Sequence, residues 1–78
     1  MTGDPSSMDW KDTLGQNILR CRTDRGWTQQ DLASEADLSV RFVSGIERGE
    51  ENPSLETTFQ IAVALDVPIW ILLKPKAD

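Results

Sequence analysis

Apolar residues recur along most of this chain at three- and four-residue spacing, in blocks separated by short polar breaks. Leu14, Ile18 and Cys21 stand at i, i+4 and i+7, one stripe of a helix that Leu19 would widen. Asp9 is placed to cap that helix, which should run to about Arg25. Arg20, Arg22 and Arg25 fall in its last turns, where cations favour the negative helix end, and Gly26 supplies the stop. Thr28 followed by Asp31 resembles a capping box with Asp in place of Glu, and predicts a short helix over Gln29–Ala36 with Leu32, Ala33 and Ala36 inward. After the break Asp37-Leu38-Ser39, Ser39 caps a third helix over Val40–Arg48, closed by Gly49, with Val43 and Ile46 as its buried edge. Glu50 to Pro53 is a polar loop. Ser54 caps a fourth helix to about Leu65, in which Leu55, Thr58 or Phe59, Ala62 and Leu65 repeat at helical spacing. Asp66 breaks it, and Pro68 suits the opening of a last short helix over Ile69–Leu73. No segment alternates as a strand does. The expected fold is all-α.

Gly3, Pro5, Ser6 and Ser7 give residues 1–8 the look of a disordered tail, so the domain is expected over 9–74 with a C-terminal tail over 75–78. Seventy-eight residues allow one small domain. A domain of this size buries only about 60% of the surface its unfolded chain exposes, and usually needs a staple. Cys21 is the only cysteine and His is absent, which removes an intramolecular disulfide and leaves too few ligands for a Cys/His zinc site. Oligomerisation remains. Val67, Ile69, Trp70, Ile71, Leu72 and Leu73 are apolar almost all round, so part of the last helix would be exposed on a monomer. A homodimer through Ile69, Trp70 and Leu73 accounts for it. Trp27 is expected in the core, whereas Trp10 either folds back or stays half exposed; Cys21 reads as a small core residue.

No metal, no cofactor and no enzymatic chemistry are expected, because the chain lacks His, a metal-ligand cluster and a glycine-rich phosphate loop. No stretch is long enough to cross a membrane, and the first residues lack a basic-then-apolar leader. With one unpaired cysteine, a cytoplasmic location is expected. The net charge is −5, which opposes binding to phosphates unless positive groups gather on one face.

The informative stretch is Thr28 to Gly49. Two short capped helices joined by a tight break form a helix-turn-helix, whose second helix presents its first residues to base edges in the major groove. These residues resemble the Cro/repressor-type, or XRE-like, helix-turn-helix family, and within it the small controller proteins of restriction–modification systems. The marks are Thr28-Gln29 with Leu32-Ala33, Val43 with Ile46-Glu47-Arg48-Gly49, Asn52-Pro53-Ser54-Leu55-Glu56-Thr57, and Ile61-Ala62-Ala64-Leu65 with Val67. The resemblance covers roughly Leu14 to Leu73, and it implies a compact five-helix fold of the lambda-repressor type with the helix-turn-helix at helices 2 and 3.

The resemblance also implies a site. By position, Gln29 matches a phosphate-contacting glutamine beside Thr28, and a helix N-terminus suits a phosphate oxygen. Ser39, Val40, Arg41 and Ser44 occupy the exposed start of the third helix. Arg41 is the foremost base reader, since its fork fits guanine O6 and N7, worth about 1–3 kcal/mol of discrimination. Val40 would press on a thymine methyl, and Phe42 would do the same or lie along the sugar-phosphate backbone. Arg48 and Asn52 would flank phosphates. Arg22 and Glu47 match a structural salt bridge of the family. Gly45 departs from many members, which carry a larger polar residue there, but fits the Ser-Gly-Ile-Glu-Arg run of controller proteins.

The implied function is a transcriptional regulator that binds double-stranded DNA as a homodimer. Its recognition helices would stand about 34 Å apart over a pseudo-palindromic operator. RNA polymerase is a further expected contact. A second reading keeps the fold but makes it a protein-interaction module, an antitoxin partner or polymerase-contacting cofactor, and rests on the net charge. Arg41 and the lack of acids at Ser39, Val40 and Ser44 favour the DNA reading.

Overall fold

The computed structural model describes residues 9–75. Among them lie five helices and no strand: α1 (Trp10–Asp24), α2 (Gln29–Ala36), α3 (Val40–Glu47), α4 (Leu55–Leu65) and α5 (Ile69–Leu73). The tail expected over 1–8, and residues 76–78 of the one expected at the C-terminus, lie outside the described residues.

Side-chain oxygens start the first four helices. Asp9 accepts from Lys11 N, Ser39 from Phe42 N and Ser54 from Thr57 N, while Thr28 and Asp31 form a reciprocal capping box with bonds of 3.0 and 2.9 Å. These bonds satisfy amides that a helix leaves without internal partners. Pro68 precedes α5 without a side-chain cap. The helix stops are equally local. After α1 and α3 the chain turns through Gly26 and Gly49, at φ 75° and 77°. Asp37 and Asp66 take the left-handed conformation after α2 and α4, where a short polar side chain is tolerated. The third helix ends one residue before the expected Arg48, which forms its C-cap.

Leu14, Ile18, Leu32, Val43, Ile46, Ile61, Leu65 and Leu72 form the centre of the core, with Ala33, Ala36 and Ala62 at the close approaches. Cys21, Trp27 and Phe42 pack against it from the edge. Burial pushes the Cys21 thiol above its ordinary pKa, against a smaller opposing effect of Arg20. Two expectations fail: Leu19 and Leu55 are exposed, at 40 and 70%. Of the alternatives Thr58 and Phe59, Thr58 is the buried one, and with Ile61, Ala62 and Leu65 it forms the inward stripe of α4 while Phe59 is 56% exposed. Thr58 lies in the core because its hydroxyl is satisfied locally, donating to Ser54 O at 2.9 Å.

α1 packs on both α3 and α5, and α2 on α3 and α4. Two residues of α1 set those crossings. A Cβ on the buried Gly15 would overlap Ile46 O and come within 2.7 Å of Glu47 O, so only glycine lets α1 lie against the end of α3. Asn17, 1% exposed, donates from Nδ2 to Leu72 O and Lys74 O, both at 2.9 Å, and accepts from Arg20 at 2.8 Å. Every polar atom of this buried amide is thus engaged, and the end of α5 is tied to α1. Because the atoms facing Gly15 are backbone, Gly15→Ala should destabilise the fold by about 1–3 kcal/mol through overpacking. A thermal melt checks this, and an unchanged midpoint would show that α1 and α3 can move apart freely.

Candidate nucleic-acid interface

Leu32, Ala33 and Ala36 of α2 and Val43 and Ile46 of α3 bury the inner faces of the two helices. The turn between them is a left-handed step at Asp37, followed by Leu38 N donating to Ala33 O at 2.8 Å. That turn leaves the outer side of α3 to the polar residues and to Arg41. Ser39 and Arg41 are exposed, and Val40, Phe42 and Ser44 are half-buried. Among the described residues no hydrogen bond or ion pair engages the Arg41 side chain.

The far end of α3 is held differently. Arg22 Nε donates to Glu47 Oε2 at 2.7 Å and Nη2 to Oε1 at 2.9 Å, a two-bond fork whose side chains are only 11% and 5% exposed. Its third nitrogen, Nη1, donates to Trp27 O at 2.8 Å, so the same guanidinium also fixes the chain entering α2. The hydrogen bond to Glu47 pushes the Arg22 pKa above its ordinary value. Gln29 joins this group, with Nε2 donating to Glu47 Oε1 at 2.9 Å. The start of α2 therefore sits beside the end of α3.

Arg48 and Ser44, both expected at DNA, bond to each other, and Arg48 also reaches Glu50 at 3.1 Å. That exposed pair raises the Arg48 pKa. Thr28 and Ser39 spend their side-chain oxygens on caps, and Asn52 is exposed in the loop after α3. Gly45 is buried under Glu51, and a Cβ there would come within 2.6 Å of Glu51 Cγ. The expected basic face is thus sparse. Arg22 is matched by Glu47 and Arg48 by Glu50, which leaves Arg41 as the unengaged cation of α3. The residues expected at a dimer face divide: Trp70 and Leu73 are 59 and 46% exposed, whereas Ile69 packs partly on the core.

The helix-turn-helix family model matches residues 18–69, which spans every element from the middle of α1 to the start of α5. The chain belongs to the XRE-type helix-turn-helix family. Members of this family act as DNA-binding transcriptional regulators. This XRE-type chain is 34% identical to the HTH-type transcriptional regulator y4dJ of Sinorhizobium fredii over 68 residues, 87% of this chain and 88% of the other. Its structure is similar to that of the restriction–modification controller protein C.AhdI from Aeromonas hydrophila, with a TM-score of 0.78, 35% identity, and 80% and 94% of the two chains covered. It is also similar to the controller protein C.Esp1396I, solved as a tetramer in complex with its natural 35 base-pair operator. There the TM-score is 0.73 and the identity 29%, over 83% of this chain and 96% of the other. The family resemblance drawn from Thr28–Gly49 therefore holds, as does the five-helix architecture.

Two features of the interface escaped sequence reasoning. The Gln29–Glu47 bond spans eighteen positions, and Gly45 owes its burial to a loop residue; neither leaves a periodic trace. For the ion pair, Arg22→Ala would strand Glu47 in a nearly closed site, and should cost about 3–5 kcal/mol. For a domain of this size that lowers the melting midpoint by well over 10 °C, at roughly 4–8 °C per kcal/mol. A shift of under about 4 °C, the equivalent of less than 1 kcal/mol, would mean that the pair contributes little.

Proposed function

We propose that this chain regulates transcription by binding a pseudo-palindromic operator as a homodimer, with α3 of each protomer in the major groove. The observation that carries the reading is the first turn of α3. Val40 and Arg41 lead a helix packed against α2, no acid stands among Ser39, Val40 and Ser44, and Arg41 is unengaged. Arg41 is then the guanine reader, Val40 and Phe42 supply apolar contact, and Gln29, Arg48 and Asn52 meet phosphates, with Thr28 and Ser39 at the two helix starts. In binding, Arg48 would trade Glu50 for a phosphate, an exchange that an exposed ion pair permits at small cost. The likeness to C.AhdI and C.Esp1396I supports a controller role, in which operator occupancy follows protein concentration. A role at an operator supports a cytoplasmic location. Among the described residues no helix is long and apolar enough to cross a membrane.

The dimer reading rests on Trp70 and Leu73, two large apolar side chains held outward by the Asn17 tie at the end of α5. Burying them against a second copy supplies what so small a core lacks. A specific observation also favours a protein partner. Leu55, Phe59 and Val63 form an outward stripe on α4, and Glu35 and Asp37 line the depression beside Phe59 and Val63. A basic, apolar-faced partner would fit there, and a contact with RNA polymerase is one form such a partner takes. This second reading adds a surface without removing the first.

Selection of duplexes from a random pool by wild type and Arg41→Ala tests the DNA reading. Wild type should recover a two-fold symmetric site, and the variant should relax it at one base pair per half-site, worth about 1–3 kcal/mol. Absence of enrichment at low salt would refute DNA recognition. Trp70→Ala should shift the protein toward monomer in sedimentation velocity at micromolar concentration, and an unaltered dimer would place the interface elsewhere.

A further inference from the structure

We propose that Glu47 is a positioning residue for DNA binding: held by Arg22, it aims the Gln29 side chain at the phosphate it contacts. The inference rests on the proposed function and deepens it, since the ion pair becomes part of the binding apparatus as well as a staple between helices.

The geometry carries the argument. Glu47 Oε1 accepts two donors, Arg22 Nη2 and Gln29 Nε2, both at 2.9 Å, while Oε2 accepts Arg22 Nε at 2.7 Å. A carboxylate has lone pairs enough for all three. Gln29 Nε2 has two hydrogens, and the bond to Glu47 uses one, leaving the other for an acceptor outside the protein. Gln29 is the first residue of α2 and half-buried, whereas Gln30, its neighbour in the same turn, is exposed. The capping box is complete without either glutamine, so its own bonds do not restrain them.

Two physical consequences follow. A glutamine fixed in the free protein loses little rotamer freedom when it meets a phosphate, so more of the contact energy appears as affinity. A carboxylate beside a phosphate site would ordinarily repel the ligand, but the Arg22 fork neutralises it. Arg22 therefore serves the interface without touching DNA. Gln29 lies near the end of α3 opposite Arg41, about 9 Å of helix away, so base reading and phosphate anchoring act at the two ends of one element.

The test is a double-mutant cycle on duplex affinity, using the site recovered by selection and the full chain with Gln29→Ala, Glu47→Ala and both together. It is combined with side-chain amide relaxation of free wild type by NMR. Gln29→Ala alone should weaken binding by about tenfold or more, as loss of a hydrogen bond to a charged group does. In the Glu47→Ala background the same change should cost under about twofold, because an unpositioned Gln29 contributes little. The Gln29 amide should be ordered in the free protein, with an order parameter near that of rigid backbone, about 0.85, and Gln30 should fall below about 0.6. A tenfold loss in both backgrounds, or a Gln29 amide as mobile as that of Gln30, would overturn the inference. Should Glu47→Ala fail to fold, the wild-type relaxation measurement decides alone. Wild type that binds no duplex would instead defeat the DNA reading itself, a result separate from an additive cycle.

Discussion

The junction of α1 with the end of α3 is the constraint on which the rest of this molecule depends. Gly15 brings the two helices into backbone contact, and a few residues further along the Arg22–Glu47 fork locks them. Neither works alone. Without the close approach the fork could not form with so little solvent at its atoms, and without the fork two buried charges would be stranded. Because Arg22 also holds Trp27 O, and Glu47 also holds Gln29, the same junction sets where α2 begins. The helix-turn-helix is therefore oriented from its open ends, while its tight turn at Asp37 needs only local geometry.

A second tie, Asn17 to the carbonyls of Leu72 and Lys74, does for α5 what Arg22 does for α3. α1 is thus the common scaffold. One of its residues grips the element proposed to read DNA and another grips the element proposed to join two copies. In a chain with so small a core, these polar ties supply direction where hydrophobic burial supplies only attraction.

The parts of this architecture that are local were legible in the chain. Asp9, Thr28, Ser39 and Ser54 announce four helix starts, since a cap depends on two or three neighbouring residues. Asp37, Gly49 and Asp66 mark stops for the same reason. The pattern is ambiguous where one helix carries two apolar stripes. On α4, Leu55, Phe59 and Val63 compete with Ile61, Ala62 and Leu65, and periodicity alone does not tell which faces inward. Leu19 fails similarly, because α1 already fills its core contacts with Leu14 and Ile18. Asn17 left no signal, its partners being backbone carbonyls 55 and 57 positions away. At the site, the family resemblance implies the Arg22–Glu47 pair, whereas the bond from Gln29 to Glu47 is visible only in three dimensions.

The acidity of the chain is the fact that sits least easily with its family. In the structure Glu47 and Glu50 engage two of the arginines near α3, so binding would draw on few free cations. The most direct measurement is therefore the salt dependence of affinity for the selected duplex, followed by fluorescence anisotropy. Of the groups proposed at phosphates, Gln29 and Asn52 are neutral and Arg48 is the cation, so a dimer should lose affinity measurably but modestly as salt rises. Its log–log slope should be about −0.9 for each phosphate neutralised by a cation. A slope near zero would contradict a phosphate-anchored DNA reader and assign this surface to another partner.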